Sequence, residues 1–484
     1  MKKTLRSLLA ILLLAGFPVL VLAVVAFLAA AEGYALTERP WTGLWLAILA
    51  VPVLYVLLRA LIVIERSRDD KVRGLLVTPA AQPELWTTVR ELAQAVGTRP
   101  PDEIYLVPAV NASVREQTRW FGTRVKRRRM YLGAQLIAGL RVSQLRAVIG
   151  HELGHYSNRH TRFGGVTYRG RQTVGRAVNG LDSSTWLHWL LRPIFMPYAV
   201  VYLLVSLRVN REQEIAADAA SARIAGTAAA TSALRDLEVL DASWQIFVRD
   251  YIKAGWAAEY LPDRLAEGYQ LLLADEARRA EMAELRRNPP TKPKARFDSH
   301  PAAAERIALL EAAPFVPVPP GSERPATELL RDAAATLEAA FATGLSKEAL
   351  AKKRADWATV VNAGMRKSFE DDALSVLRDR SLEGLLDALD DGRLAEIADP
   401  GQPAPPGMEP RTEREFHQTS ARRRLSTVVI ARLAETGAAR WELSWSGPAP
   451  LVLAEPYATG LTPAVDAAIG GDTAPLRALL ATKP

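Results

Sequence analysis

His151, Glu152 and His155 stand in the run Ala147-Val148-Ile149-Gly150-His151-Glu152-Leu153-Gly154-His155. On a helix, residues four apart share a face one turn from each other, so both imidazoles can reach one metal ion. Glu152 projects from the same turn, where it can take a proton from water activated by that ion. The chain has only six histidines, so this arrangement is not a common accident. Leu145, Val148, Ile149 and Leu153 mark a buried helix rather than a solvated one. Gly150 and Gly154 each cost roughly 1 kcal/mol relative to Ala within a helix. Close approach of a neighbouring backbone is a reason to tolerate them.

A catalytic zinc needs a third protein ligand and one open position. The chain has no cysteine, so the ligand must be His or a carboxylate, and disulfides are excluded. The positions for a further His close behind the motif hold Asn158 and Thr161, and His160 faces elsewhere. A carboxylate on a later helix is the other route. In Asn210 to Ala220, the residues Arg211, Glu214 and Asp218 fall on one helical face. Glu214 would ligate. Asp218, one turn on, would orient a metal-bound imidazole or brace a basic residue, with Arg211 on the same face. Glu212 lies well around the helix and is expected in solvent.

With these motifs together, the chain resembles the HtpX-like membrane zinc metallopeptidases, relatives of the CAAX prenyl endopeptidases. His151 to His155 matches their metal helix, and Glu214-Ile215-Ala216-Ala217-Asp218 their third-ligand motif. Asn111-Ala112-Ser113 sits where they carry Asn-Ala-Phe on an edge strand facing the cleft, with Ser113 in place of the aromatic residue. Asp298-Ser299-His300-Pro301 followed by Arg306 resembles their His-Pro…Arg element. The resemblance covers roughly residues 1 to 312. It implies a gluzincin-type peptidase using one Zn2+ per chain, with Asn111, Ala112, His300 and Arg306 at the substrate cleft. His300 read by itself is either a helix-start residue or a cleft residue.

Other segments must place this chemistry. Ser7 to Ala31 and Trp41 to Ile64 are each apolar and long enough to span a bilayer, which predicts a transmembrane hairpin over residues 1–70 with its loop at Glu32 to Pro40. That loop holds only Arg39, whereas the flanks carry Lys2, Lys3, Arg6, Arg66, Arg68, Lys71 and Arg73. The positive-inside rule then puts everything after the hairpin in the cytoplasm, at the cell membrane. Trp186 to Leu207 is a further apolar stretch. It cannot cross once, because His155 and Glu214 must meet at one metal. Arg192, Pro193 and Pro197 interrupt it, which favours an interfacial or re-entrant element.

The net charge of +8 suits nucleic acid or an anionic membrane surface, and the apolar spans decide for the membrane. The basic, aromatic stretch Arg119 to Arg129 reads as a hairpin loop touching anionic lipid. Pro83 to Val96 reads as an amphipathic helix and Glu103 to Val110 as a strand, and Ser143 is a fair N-cap for the metal helix.

The expected fold is a mainly α membrane protein: the hairpin, an α+β peptidase domain with a small sheet over 71–312, and a C-terminal α/β region over 326–484. Pro314 to Pro325 reads as the linker between the last two, and a second linker near 399–410 would divide the C-terminal region. Trp244, Phe247, Tyr251 and Trp256 are core or cleft lining. No catalytic motif follows residue 312. The expected function is a zinc endopeptidase acting on polypeptides, membrane or misfolded proteins among them, with no nucleic acid partner. The rival is a membrane-anchored scaffold with a structural zinc, but such a site has no use for Glu152.

Overall fold

The computed structural model describes residues 2–45, 47–48, 51, 73–119, 124–156, 196–197, 200–201, 211–289, 301–398, 405 and 407–482. His300, most of Trp41 to Ile64 and most of Trp186 to Leu207 lie outside the described residues. The chain falls into two compact units. The first is Met1–Ala242 with Met282–Gly344, and the second is Ser243–Glu281 with Leu345–Pro484.

Helix α1 runs Lys2–Glu38, through most of the expected Glu32–Pro40 loop. Nothing before Pro40 in that stretch breaks a helix, and the bond from Arg39 N–H to Ala35 O is still helical at 2.9 Å. Val19–Glu38 is long and apolar enough to cross a membrane. Several of its described large side chains stand exposed, Phe27 at 72% and Tyr34 at 70%, although Val21 is buried. At Gly43 a Cβ would lie 2.8 Å from Leu36 N, so the chain doubles back tightly here and only glycine fits.

The first unit builds its centre on a four-stranded sheet: β1 Leu75–Val77, β2 Glu103–Val107, β3 Ala112–Arg119 and β4 Arg124–Gly133, in the order β1-β2-β4-β3. β2 and β4 run parallel, and the other neighbours are antiparallel. β3 is therefore an edge strand. The basic stretch expected as a loop is largely strand β4. Arg127 and Arg129 each reach Glu103 at 2.7 Å, and buried Arg128 pairs with Glu116 at 2.6 Å. Three of its charges are thus spent inside the sheet, and only residues 120–123 of the hairpin lie outside the described residues.

Helix α2, Pro83–Val96, opens on proline and closes on Gly97 at φ 80°, whose N–H caps Ala93 O and Gln94 O. Its apolar stripe, Leu85, Val89, Leu92 and Val96, is wholly buried, as the spacing predicts. After the short α3, Ala134–Gly139, comes the metal helix α4, Val142–Gly154. Its N-cap is Arg141, not Ser143: Gln144 Oε1 reaches back to accept from the Arg141 N–H at 2.9 Å, and Ser143 is buried inside the first turn. The stretch 314–325 is not a free linker. Arg324 O and Ser322 O accept the orphan N–H groups of Val142 and Ser143, at 2.8 and 2.7 Å. Helix α5 spans 211–225, Gly226 turns the chain at φ +94°, and α6 runs Thr227–Ile246. Helix α9, Ala303–Glu311, follows α7, Leu265–Ala274, and α8, Glu276–Arg287.

The second unit gathers residues from both sides of the first unit's last segment. Phe247 is fully buried and lies 5.3 Å from Tyr269 and 5.4 Å from Trp357, ring to ring, while Tyr251 stacks on Trp445 at 4.8 Å. This shared aromatic core explains why 243–281 groups with the C-terminal residues. Phe247 and Tyr251 are core, and half-buried Trp244 packs against Phe247 and Tyr269 at 5.6 and 5.2 Å. A second cluster joins Leu385, Leu389 and Ile397 to Val428, Trp441, Tyr457 and Leu476. Residues on both sides of 399–410 therefore share one core, so that stretch does not divide the region. Ala439–Trp441 pairs antiparallel with Leu451–Leu453, a short hairpin that contains Ser446-Gly447-Pro448.

Candidate active site

Three elements of the first unit converge: the metal helix α4, helix α5 and helix α9. His151 Nε2 and His155 Nε2 lie 3.2 Å apart. Glu214 Oε2 is 3.4 Å from the first and Oε1 is 3.6 Å from the second. Two ligand atoms each about 2.0–2.1 Å from a tetrahedral zinc are separated by about 3.3 Å. The two imidazole nitrogens match that spacing, the Glu214 carboxylate lies beside both, and these nitrogen and oxygen donors suit zinc. They are the one group of this kind found among the described residues.

The two glycines of the metal helix make this convergence possible. A Cβ on Gly154 would sit 3.1 Å from Ala217 Cα, and one on Gly150 would meet the Ile224 side chain. Helix α5 therefore lies directly on α4, which brings Glu214 to the imidazoles. Ser221 Oγ donates to Ala147 O at 2.8 Å and fixes the crossing. A leucine at 154 must push α5 away from α4. Gly154→Leu is expected to lower zinc affinity at least tenfold, measured by chelator competition. Gly150→Ala meets only the flexible end of Ile224 and should lose far less.

Behind the ligands, Asp218 accepts from His151 Nδ1 at 2.9 Å, which turns Nε2 toward the ligand face, where a metal ion would take the place of its proton. Arg306, on α9, holds Asp218 through two bonds, Nε to Oδ2 at 2.8 Å and Nη2 to Oδ1 at 2.6 Å. Burial works against charge on the His151 ring, but the carboxylates of Asp218 and Glu214 outweigh it and push the ring up to about 9. Burial would raise Asp218 as well, and the hydrogen bonds from Arg306 and His151 instead hold it below its ordinary value. The cluster is thus electrically balanced for a cation at Nε2, with Arg306 offsetting the second carboxylate.

A cavity of about 160 Å³ opens beside His151 and Glu152 and is also lined by Asn111, Ala112, Val148 and Leu234. Of the residues singled out from sequence, Glu152, His151, Asn111, Ala112, Asp218 and Arg306 meet here, with Glu214 and His155 next to them. Arg211 does not join them. It is exposed at the start of α5, and Arg306 braces Asp218 in its place. Glu212 is half-buried, not fully in solvent. The sequence reading missed the wall from α6, Ala230, Ala233, Leu234 and Leu237. Small apolar residues on a helix look like ordinary core, so no local signal marked them.

Residues 79–313 match the model of Peptidase family M48. The chain carries a peptidase M48 domain there, with both metal-helix histidines and Glu214 inside it, and it is a hydrolase of the metalloprotease class. Among curated proteins it is 27% identical over 327 residues to a protease HtpX homolog of Leuconostoc citreum (strain KM20), covering 62% of this chain and 95% of that protein. It is 31% identical over 173 residues to a protease HtpX homolog of Tropheryma whipplei (strain Twist), covering 32% of this chain and 56% of that one. Among solved structures it matches the crystal structure of S. mikatae Ste24p at 14% identity, over 64% of this chain and 67% of that chain, with a TM-score of 0.29.

Proposed function

We propose that the protein is a zinc-dependent, membrane-anchored endopeptidase whose site faces the cytoplasm and acts on membrane or misfolded polypeptides. The observation that carries the metal reading is the convergence of His151, His155 and Glu214: the two Nε2 atoms lie 3.2 Å apart, near the edge length of a tetrahedral zinc site, and the two Glu214 oxygens lie 3.4 and 3.6 Å from one nitrogen each. A zinc ion held there supplies Lewis acidity, which acidifies water and polarises a peptide carbonyl. Glu152, lining the cavity beside His151, takes the proton of the attacking water and passes it to the leaving amine nitrogen. Asp218 and Arg306 keep the His151 ring in its tautomer and orientation. The substrate lies extended along edge strand β3 at Asn111 and Ala112, as an added strand. The test is cleavage of casein by purified chain: a chelator should abolish it, and stoichiometric zinc should restore it. Activity that survives full metal removal contradicts the reading.

The membrane part rests on the exposed apolar helix α1 and the tight return at Gly43. Because the chain lacks cysteine, single cysteines report topology directly. Cysteines at Arg99 and Arg211 should label from the cytoplasmic side and one at Glu38 from outside. Opposite labelling of Arg99 and Arg211 would be incompatible with a shared metal site.

A further inference from the structure

We propose that Tyr156 fixes where a substrate strand stops pairing with the sheet edge: β3 is open to a peptide at Ala112 and closed at Val114. The inference rests on the reading of β3 as the substrate edge. The backbone of the strand supplies its first half. Asn111 O accepts from Gly133 N at 2.8 Å, so Asn111 faces β4. In an antiparallel ladder successive residues alternate between facing the partner and facing away. With Ala112 opposite Leu132 and Val114 opposite Met130, those two residues turn their N–H and C=O groups to the free side.

Tyr156, the residue after His155, supplies the second half. Its hydroxyl donates to Val114 O at 2.7 Å, and the residue is only 7% exposed. Its ring carries the Arg128 guanidinium at 5.0 Å, and Arg128 is itself locked to Glu116 at 2.6 Å. Thr98 Oγ1 donates to Tyr156 O at 3.0 Å and holds the backbone. A strand added to an edge runs about 4.8 Å from it, and at Val114 the Tyr156 ring fills that lane. A bound peptide therefore takes the outward pair of Ala112 beside the cavity and must leave the sheet before Val114. Recognition by backbone is short, which suits exposed loops and chain ends of many sequences rather than long extended segments.

The test uses full-length, zinc-loaded chain and peptides built around one scissile bond, lengthened a residue at a time from either end, with kcat and KM measured separately. In the wild type KM stops falling once the peptide has passed Ala112. In Tyr156→Ala the Val114 carbonyl is released, and one added residue should lower KM by a further threefold or more, the effect of one extra hydrogen bond, with kcat and zinc content unchanged. Tyr156→Phe keeps the ring and should keep the wild-type length profile. A uniform loss across all lengths in Tyr156→Ala would make the residue merely structural and overturn the proposal. If that variant does not fold, N-methylated peptides on the wild type decide. Methylation at the residue facing Ala112 should raise KM, and methylation two residues further toward Val114 should not. A rise at both overturns the proposal, whereas absence of any cleavage by the wild type counts against the peptidase reading itself.

Discussion

Glu152→Gln is expected to keep its zinc and lose turnover by about 10²- to 10⁴-fold, the contribution of a positioned general base. The amide has nearly the same shape as the carboxylate, so the cavity wall beside His151 should be preserved. It cannot accept the proton of the attacking water. The loss should fall on kcat with KM little changed, because Glu152 acts on the proton in flight rather than on bound peptide. Steady-state kinetics beside elemental analysis checks both halves. Equal loss of metal and activity would place Glu152 among the ligands and break the division of roles.

The second large effect is loss of the ion itself. Wild-type chain should hold about one zinc, and His151→Ala, His155→Ala or Glu214→Ala should each hold none after dialysis against a weak chelator, with no measurable turnover. Glu214 is buried with its oxygens 3.4 and 3.6 Å from the two imidazoles, so its truncation leaves the imidazoles with no carboxylate beside them. Asp218→Asn should be milder, about 10- to 100-fold in zinc affinity, because it loosens His151 without removing a donor. A Glu214→Ala variant with full metal and activity would show that another group is the third ligand.

The parts of this site that sequence made legible are those set by local rules. His151 and His155 share a face because helical spacing demands it. The glycines at 150 and 154 signal a close neighbour because they weaken a helix otherwise, and the neighbour is α5 with Glu214. Pro83 to Val96 forms the helix its apolar stripe requires. The parts that were not legible depend on partners far away in the chain. Arg211 shares the face of Glu214 and Asp218, yet Arg306 wins the contact because α9 brings it to Asp218 from behind. Arg127, Arg128 and Arg129 look like a charged loop until Glu103 and Glu116 are opposite them. The Pro-rich stretch 314–325 looks like a linker, but its carbonyls cap the metal helix. Trp357 and Trp445 claim Phe247 and Tyr251 for the second unit, a pairing across roughly a hundred residues or more that no local pattern announces.

X-ray absorption at the zinc K edge of the zinc-loaded, full-length chain tests the central claim most directly. The account predicts two imidazole nitrogens and one carboxylate oxygen at about 2.0–2.2 Å, with a further light oxygen ligand that a small inhibitor such as a hydroxamate displaces. Four protein ligands with no displaceable position would instead identify a structural zinc, and would contradict the assignment of this site to peptide hydrolysis.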